Sequence, residues 1–414
     1  MRNVSAKRAE PVSCIFPIEE VPGAQQLNHQ TQVPHRPRNL VKIKYRPKDV
    51  TVIVPSVEPW GIEFYGVLNK ILASDPAKTI VTTLDEFVPR ALEVVQLVDP
   101  EHRYIKVVSI PRPPAAQARY QWMRAMQEVN TDIVLVVADR INLPLGFIRS
   151  VAIPFNDDNI GCVSSTKRGI RIPSDNIWTD FWNVVGCVYL ARNDVQGCGT
   201  HKIDQGISCA SARALTLRAS IMRDPAFVHA FTHEYHLGGL IGPLNAGDDK
   251  FITAWLLGHG WRFAMQNGPE ATIRTRIGLF PRFIYQYCRW HRTTWRMNPR
   301  ILFKHRSTWR RYPWTTYSIF ISSLFNFAIL WDPGMLTCLW YAMEGTCHTR
   351  QSMAMLVLWI ITSKTLKPMF HFIEHPADII YLPWLILFGY VCSFLKFYAG
   401  LTFWVISWGS REGL

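Results

Sequence analysis

Val50-Thr-Val-Ile-Val-Pro55 is a short β-branched run that is apolar at almost every position. A run with no polar face fits a strand buried on both sides, as in a parallel sheet covered by helices. Working outward, similar runs follow at Thr79-Ile-Val-Thr-Thr-Leu84, Tyr104-Ile-Lys-Val-Val-Ser109 and Asp132-Ile-Val-Leu-Val-Val-Ala138. Stretches of helical period separate them, over Trp60 to Ala73 and Ala115 to Val129. This alternation predicts an α/β fold, a parallel sheet with crossover helices. In such sheets ligands bind at the carboxyl ends of the strands, so those ends are where chemistry is expected.

The first end reads Pro55-Ser-Val-Glu-Pro59 and the fourth Ala138-Asp139-Arg140. An Asp just past a buried strand serves either as a helix cap or as the ligand of a metal carried by a diphosphate. Ile160-Gly-Cys-Val-Ser164 predicts another strand, followed by a basic turn at Thr166-Lys-Arg168. Lys167 and Arg168 there either meet phosphates or are simply solvated. Phe181 to Arg192 reads as an amphipathic helix. Gly242-Pro-Leu-Asn-Ala-Gly-Asp-Asp-Lys250 then precedes Phe251 to Leu257 at helical spacing, and Gly260 is the expected helix stop. Asp248 and Asp249 at a helix start are favoured by the dipole alone. Adjacent acids also suit divided roles, one orienting and one taking a proton from a sugar hydroxyl.

The net charge of +14 over 414 residues does not indicate a nucleic-acid partner, because the cations gather in the N-terminal tail and beside the apolar C-terminal third. From Arg282 through Arg311 there are nine Lys and Arg and no acid, with Trp290, Trp295 and Trp309 among them. Such a run suits an anionic membrane face. Pro313 to Trp331 is then a 19-residue uncharged run ending at Asp332-Pro-Gly334, read as a turn. Met335–Met343 and Ser352–Ser363 follow, then Ile379–Leu395 and a short run to Trp408. Two or three membrane spans are expected. The nine scattered cysteines, with no C-x-x-C pair, read as reduced thiols facing the cytosol. No apolar N-terminal segment is seen, so neither a signal peptide nor an N-terminal anchor is expected. Asn3-Val4-Ser5 matches a glycosylation acceptor, a three-residue pattern of little weight.

Taken in order, these features resemble the processive glycosyltransferases of family 2, the synthases of cellulose, chitin and hyaluronan. They resemble more closely the fungal branch of polysaccharide or capsule-type synthases. Pro243-Leu-Asn-Ala-Gly-Asp-Asp-Lys-Phe-Ile-Thr253 is similar to that family's Gly-Pro-Leu-Asn-Ala-Asp-Asp-Asp-Asn-Phe-Leu-Thr, and Gln286-Tyr-Cys-Arg-Trp-His-Arg-Thr-Thr294 to its Gln-Cys-x-Arg-Trp-x-Arg-Thr-Thr. Trp408-Gly-Ser-Arg411 resembles its Trp-Gly-Thr-Arg. The resemblance implies a GT-A (Rossmann-like) catalytic domain facing the cytosol on a multi-pass protein of the plasma membrane. It would transfer sugar from a UDP-sugar to a growing β-linked polysaccharide of the wall or cell surface, with inversion. It implies Mg²⁺ or Mn²⁺ at Asp139, and Asp249 or its neighbour Asp248 as general base. Gln286, Arg289 and Trp290 would line the acceptor and diphosphate end, the indole offering its face to a sugar. Glu58 and Lys167 would lie near the nucleotide, with Arg411 and Trp408 on a closing loop. The implied partners are the donor, the polysaccharide acceptor, the lipid bilayer and further copies of the chain.

The expected division is a disordered or loosely packed tail over 1–48, a catalytic domain over 49–281, the Gln-x-x-Arg-Trp segment with an interfacial helix over 282–312, a membrane region over 313–408 and a terminal loop over 409–414. Departures from the family are also visible. Its two acids after the fourth strand become Ala138-Asp139, with Arg140 next, and its Asp-Gly-Gly and Ser-Gly-Arg become Asp204-Gln-Gly206 and Ser211-Ala-Arg213. They support an alternative, a catalytically impaired membrane partner of an active synthase.

Overall fold

The computed structural model describes residues 43–112 and 117–406. Asn3, most of the tail, Trp408 and Arg411, named above as candidates, lie outside the described residues.

The apolar runs form strands β1 (Val50–Pro55), β2 (Lys78–Leu84), β3 (Ile105–Ile110) and β4 (Ile133–Val137). They are followed by β5 (Ile141–Asn142), β6 (Ile160–Ser165), β7 (Lys167–Gly169), β8 (Ala214–Arg218), β9 (Arg262–Gln266) and β10 (Ile273–Thr275). The main sheet has the order β3-β2-β1-β4-β8-β6-β9 and a small second sheet the order β5-β10-β7. β1 pairs in parallel with β2 on one side and β4 on the other, Val52 opposite Thr79 and Ile53 opposite Val136.

The expected all-parallel sheet is corrected at β8, which runs antiparallel to both β4 and β6. Ala214–Arg218 is buried at every position, so its sequence carries no mark of direction. The basic turn after β6 is corrected too: Lys167 and Arg168 lie in a strand, Arg168 opposite Arg274 of β10.

The labelled helices are α1 (Gly61–Ala73), α2 (Val88–Val98), α3 (Gln117–Met126), α4 (Ile177–Asp204), α5 (Asp248–Gly258) and α6 (Arg282–Lys304), then α7 (Ala328–Met343), α8 (Thr349–Leu366) and α9 (Leu382–Leu401). α4 is 28 residues long, far beyond the Phe181–Arg192 expected. The Asn176 side chain caps it, accepting from the Trp178 and Thr179 amides. Strand alternation divides the core in two. Ile53 faces a cluster with Trp122, Phe227, Phe231 and Phe251, and Val50, Val52 and Val54 face another with Phe64, Leu68 and Phe147. Each such side chain contributes roughly 1.5–3 kcal/mol by leaving water.

The C-terminal helices are fixed to this domain by buried charge. Arg171 pairs with Asp180 at 2.6 Å and Asp378 at 2.8 Å, while Tyr381 donates to Asp180 and His371 meets Asp378, both at 2.8 Å. α9 lies along α6: Tyr287 Oη donates to the Cys392 carbonyl and Trp295 Nε1 to that of Lys396. Gly400 permits the closest approach, since a Cβ there would stand 2.7 Å from the Trp295 ring. The other face of α9 exposes Trp384, Leu387, Val391 and Phe394.

Among the described residues one helical segment, Pro376–Leu401, is long and apolar enough to cross a membrane. Pro313–Phe325 and Ala328–Met343 would make a second only as a bent pair, at 88° to each other. The expectation of two or three spans is reduced accordingly. Asp332-Pro-Gly334 is not a turn but lies within α7, and the breaks fall at Asn326–Phe327 and at Gly345, whose φ is +79°. Arg296, expected among solvated interfacial cations, is buried and donates to the carbonyls of Phe403 and Val405. All eight cysteines among the described residues are free.

Candidate active site

The carboxyl ends of β1 and β4 open into a cleft of about 1490 Å³. Asp139, buried two residues past β4, accepts a hydrogen bond from Ser56 at the end of β1, Oγ to Oδ2, at 2.7 Å. The Ser56 hydroxyl also accepts the Glu58 amide at 3.1 Å. Glu58 is ion-paired with Arg140, and Glu63 of α1 lies 3.9 Å from Arg140 and 2.9 Å from Arg276. The cation next to Asp139 is thus held by acids from the first helix and strand end.

Lys167 comes into the cleft from β7. Asp194 of α4, with no exposed side-chain surface, lies 3.4 Å from Lys167 Nζ and 3.2 Å from an Arg168 nitrogen, and also accepts the Lys167 amide. Burial raises the Asp194 pKa against the pull of these cations. Nothing local in sequence singles out this acid; it is an Asp within a long helix whose partners lie on a strand 27 residues away.

Asp248 and Asp249 open α5. Gly247 before them has φ +90°, a conformation that favours glycine, and a Cβ there would stand 2.7 Å from the Thr293 methyl of α6. The two motifs are therefore in direct contact, 46 positions apart. Burial and then the Asp249 charge push Asp248 up to about 6, while Arg119 and Arg289 act to lower it. Asp249 accepts the Lys250 amide at 2.7 Å, and Lys250 is tied to the Ser208 carbonyl and Asn298. Behind the acids a buried pair fixes the loop. Arg119 of α3 meets Glu234 at 2.7 Å, donates to the Phe231 carbonyl and lies over the Phe231 and Phe251 rings.

Gln286, Arg289 and Trp290 sit on α6 across the cleft from the acids. The buried Gln286 Oε1 has no partner among the described residues and faces the cleft as an acceptor of hydrogen bonds. Trp290 is braced in the cleft. Its indole stacks on Tyr189 of α4 at 5.1 Å and 7°, and the Arg213 guanidinium lies 5.7 Å from its ring centroid. One face at least is already taken, so the ring is a wall braced by Tyr189. His291, one residue on, is kept neutral by burial, which lowers it to about 3. Gln205, where the family has glycine, holds the left-handed φ of +61°. Asp204 beside it binds the Thr315 amide and hydroxyl.

One cleft therefore gathers Glu58, Asp139, Lys167, Asp248, Asp249, Gln286, Arg289 and Trp290. Of the residues sequence reasoning passed over, Tyr189, Asp194, Glu63 and Arg276 share it. A Rossmann-like sheet whose strand ends carry acids and cations against an aromatic wall defines a GT-A-type transferase. Residues 47–311 match the family described as "Glycosyltransferase like family 2". A "Type 2 glycosyltransferase" of Zymoseptoria tritici is 34% identical over 372 residues, covering 89% of this chain and 76% of that protein. One of Pyricularia oryzae is 33% identical over 378 residues, covering 89% and 75%. Among solved structures, the mannosyltransferase PcManGT of Pyrobaculum calidifontis, in complex with GDP-Man and Mn²⁺, aligns with a TM-score of 0.47 at 15% identity, over 86% of this chain and 87% of that one. The chain belongs to glycosyltransferase family 2, and it is a glycosyltransferase.

Proposed function

We propose that this chain is a membrane-associated, inverting glycosyltransferase that takes its sugar from a UDP-sugar and extends a β-linked polysaccharide of the cell wall or surface. The observation that supports this reading most is the sharing of one cleft by the Gly-Asp-Asp acids, Asp139 and the Gln-x-x-Arg-Trp residues. In this reading the acceptor hydroxyl oxygen attacks the anomeric carbon on the face opposite the diphosphate. The new C–O bond forms as the bond to the diphosphate breaks, and the hydroxyl proton passes to Asp249, or to Asp248 in its place. Nucleoside diphosphate leaves with the bonding pair. Lys167, positioned by Asp194, and Arg289 oppose its charge, Glu58 sits near the nucleotide, and Gln286 accepts from a sugar hydroxyl.

Among the described residues no three His, Cys, Asp or Glu side chains converge as a metal site. A diphosphate-bound cation needs few protein ligands, and Asp139, a carboxylate in the cleft oriented by Ser56, fits that limited role. Mg²⁺ or Mn²⁺ held there would neutralise charge developing on the leaving diphosphate.

Membrane association is supported by the apolar Pro376–Leu401 segment and by the outward face of α9. A bilayer crossed by α9 would place the cleft at its cytosolic surface, with the basic run of α6 on the side favoured by the positive-inside rule. Wall synthesis and a plasma-membrane, multi-pass setting belong to the same proposal. The second reading, an impaired partner of an active synthase, is favoured by the Arg140–Glu58 pair beside a single acid. Incorporation of labelled sugar from a panel of UDP-sugars by the full chain in membranes, with Mg²⁺ or Mn²⁺, separates the two. Polymer with inverted linkage supports the first. UDP binding without incorporation from any donor supports the second.

A further inference from the structure

Beyond Trp290 the cleft continues among the C-terminal helices, and there its lining becomes cationic. Arg192 of α4, Lys364 of α8, Lys367 just after it and Lys396 of α9 all line it. Lys364 is paired with Asp332 of α7 at 2.8 Å, and Tyr390 donates to the same carboxylate at 2.9 Å. Lys396 donates to the Asn326 carbonyl at 2.9 Å. Arg192 and Lys367 form no ion pair among the described residues. Helices α8 and α9 carry no acid, and of these four cations only Lys364 is paired with Asp332. Leu382, Leu385 and Phe388 line the same cleft. Charges among apolar helices are costly unless a ligand or partner uses them. A neutral polysaccharide has no use for the cations, and an acidic one has none for the apolar wall. An anionic head on an apolar chain uses both.

We propose that this end of the cleft binds a phosphate-headed lipid, its phosphate against Arg192 and Lys367 and its chain along Leu385 and Phe388. The proposal rests on the membrane reading of the C-terminal helices given above, but not on the identity of the donor.

The test uses the purified full chain in neutral detergent. Probes are dioctanoyl phosphatidic acid, dioctanoylglycerol, inorganic phosphate and a short oligogalacturonate, with UDP affinity measured in parallel. The expected result is saturable binding of the phosphatidic acid and none of the glyceride. Arg192→Ala with Lys367→Ala should weaken it by about tenfold or more, since each lost charged hydrogen bond is worth that order. Arg192→Lys with Lys367→Arg should largely restore it. Monodisperse elution checks that each variant is folded, and Lys367→Gln alone serves if the double variant is not. Equal binding of the glyceride, or no change in a folded variant, overturns the proposal. Inorganic phosphate binding as tightly makes this a phosphate site without a lipid, and tighter oligogalacturonate binding makes it a polysaccharide site; either overturns the lipid. Lipid binding without UDP binding would sink the donor reading and leave this one standing.

Discussion

Tyr189 and Trp290 lie face to face, their rings 5.1 Å apart and 7° from parallel, although 101 positions separate them in the chain. The contact joins the middle of α4 to the Gln-x-x-Arg-Trp helix, and it braces Trp290 as a wall of the cleft. Aromatic pairs contribute about 0.5–1.5 kcal/mol beyond their buried area. Tyr189→Ala should therefore lower kcat/KM for sugar transfer by roughly three- to tenfold, while Tyr189→Phe keeps the ring and stays near the wild-type rate. Equal losses in both variants would show that the hydroxyl, not the stack, matters.

The contact of Gly247 with Thr293 predicts a specific pair of variants. Gly247→Ala must accept a left-handed φ and a Cβ 2.7 Å from the Thr293 methyl. The backbone term alone costs about 1–2 kcal/mol, and the clash adds to it. Thr293→Ser removes the methyl, so the double variant should recover part of the stability lost by Gly247→Ala. Urea unfolding of the single and double variants measures this, and additive losses would contradict the contact.

Burial and Asp249 raise the pKa of Asp248 to about 6. A carboxyl whose folded pKa lies above its unfolded value favours the fold at low pH, and this contribution is lost as pH rises through about 6. Asp248→Asn should thus flatten the fall in stability between about pH 4 and pH 7, most of it below pH 6, read by urea unfolding at each pH. If the adjacent acids must be ionised for transfer, the rate of the unmodified chain should rise over the same interval, as a property of the pair. A rate independent of pH from 5 to 7 would remove Asp248 from the reaction.

Arg119 and Glu234 are both fully buried at 2.7 Å, with Arg300 on the other Glu234 oxygen at 3.0 Å. Glu234→Gln leaves Arg119 as an uncompensated buried charge and should cost about 3–5 kcal/mol. Arg119→Met with Glu234→Leu should cost less than either single change. Thermal unfolding of the three variants checks the order.

The strands were legible because Val50–Pro55, Lys78–Leu84 and Ile133–Val137 are short apolar runs bounded by turns, and the physics that buries them is local. The Asp248–Asp249 and Gln286–Trp290 candidates were legible as motifs. The direction of β8 was not, since a strand buried on both faces reads the same either way. Tyr189 and Asp194 were hidden because their partners, Trp290 and Lys167, are brought to them only by the packing of α4. The bend of 88° before α7 was hidden because hydropathy measures length and not path.

The proposal that Asp249 takes the acceptor proton is tested most directly by Asp249→Asn in the full chain in membranes, with sugar incorporation and UDP affinity measured on the same preparation. Loss of a general base is worth about 10²–10⁴-fold in rate. The expected result is a fall of that order in incorporation with UDP affinity retained. Incorporation within a few-fold of the unmodified chain would contradict it.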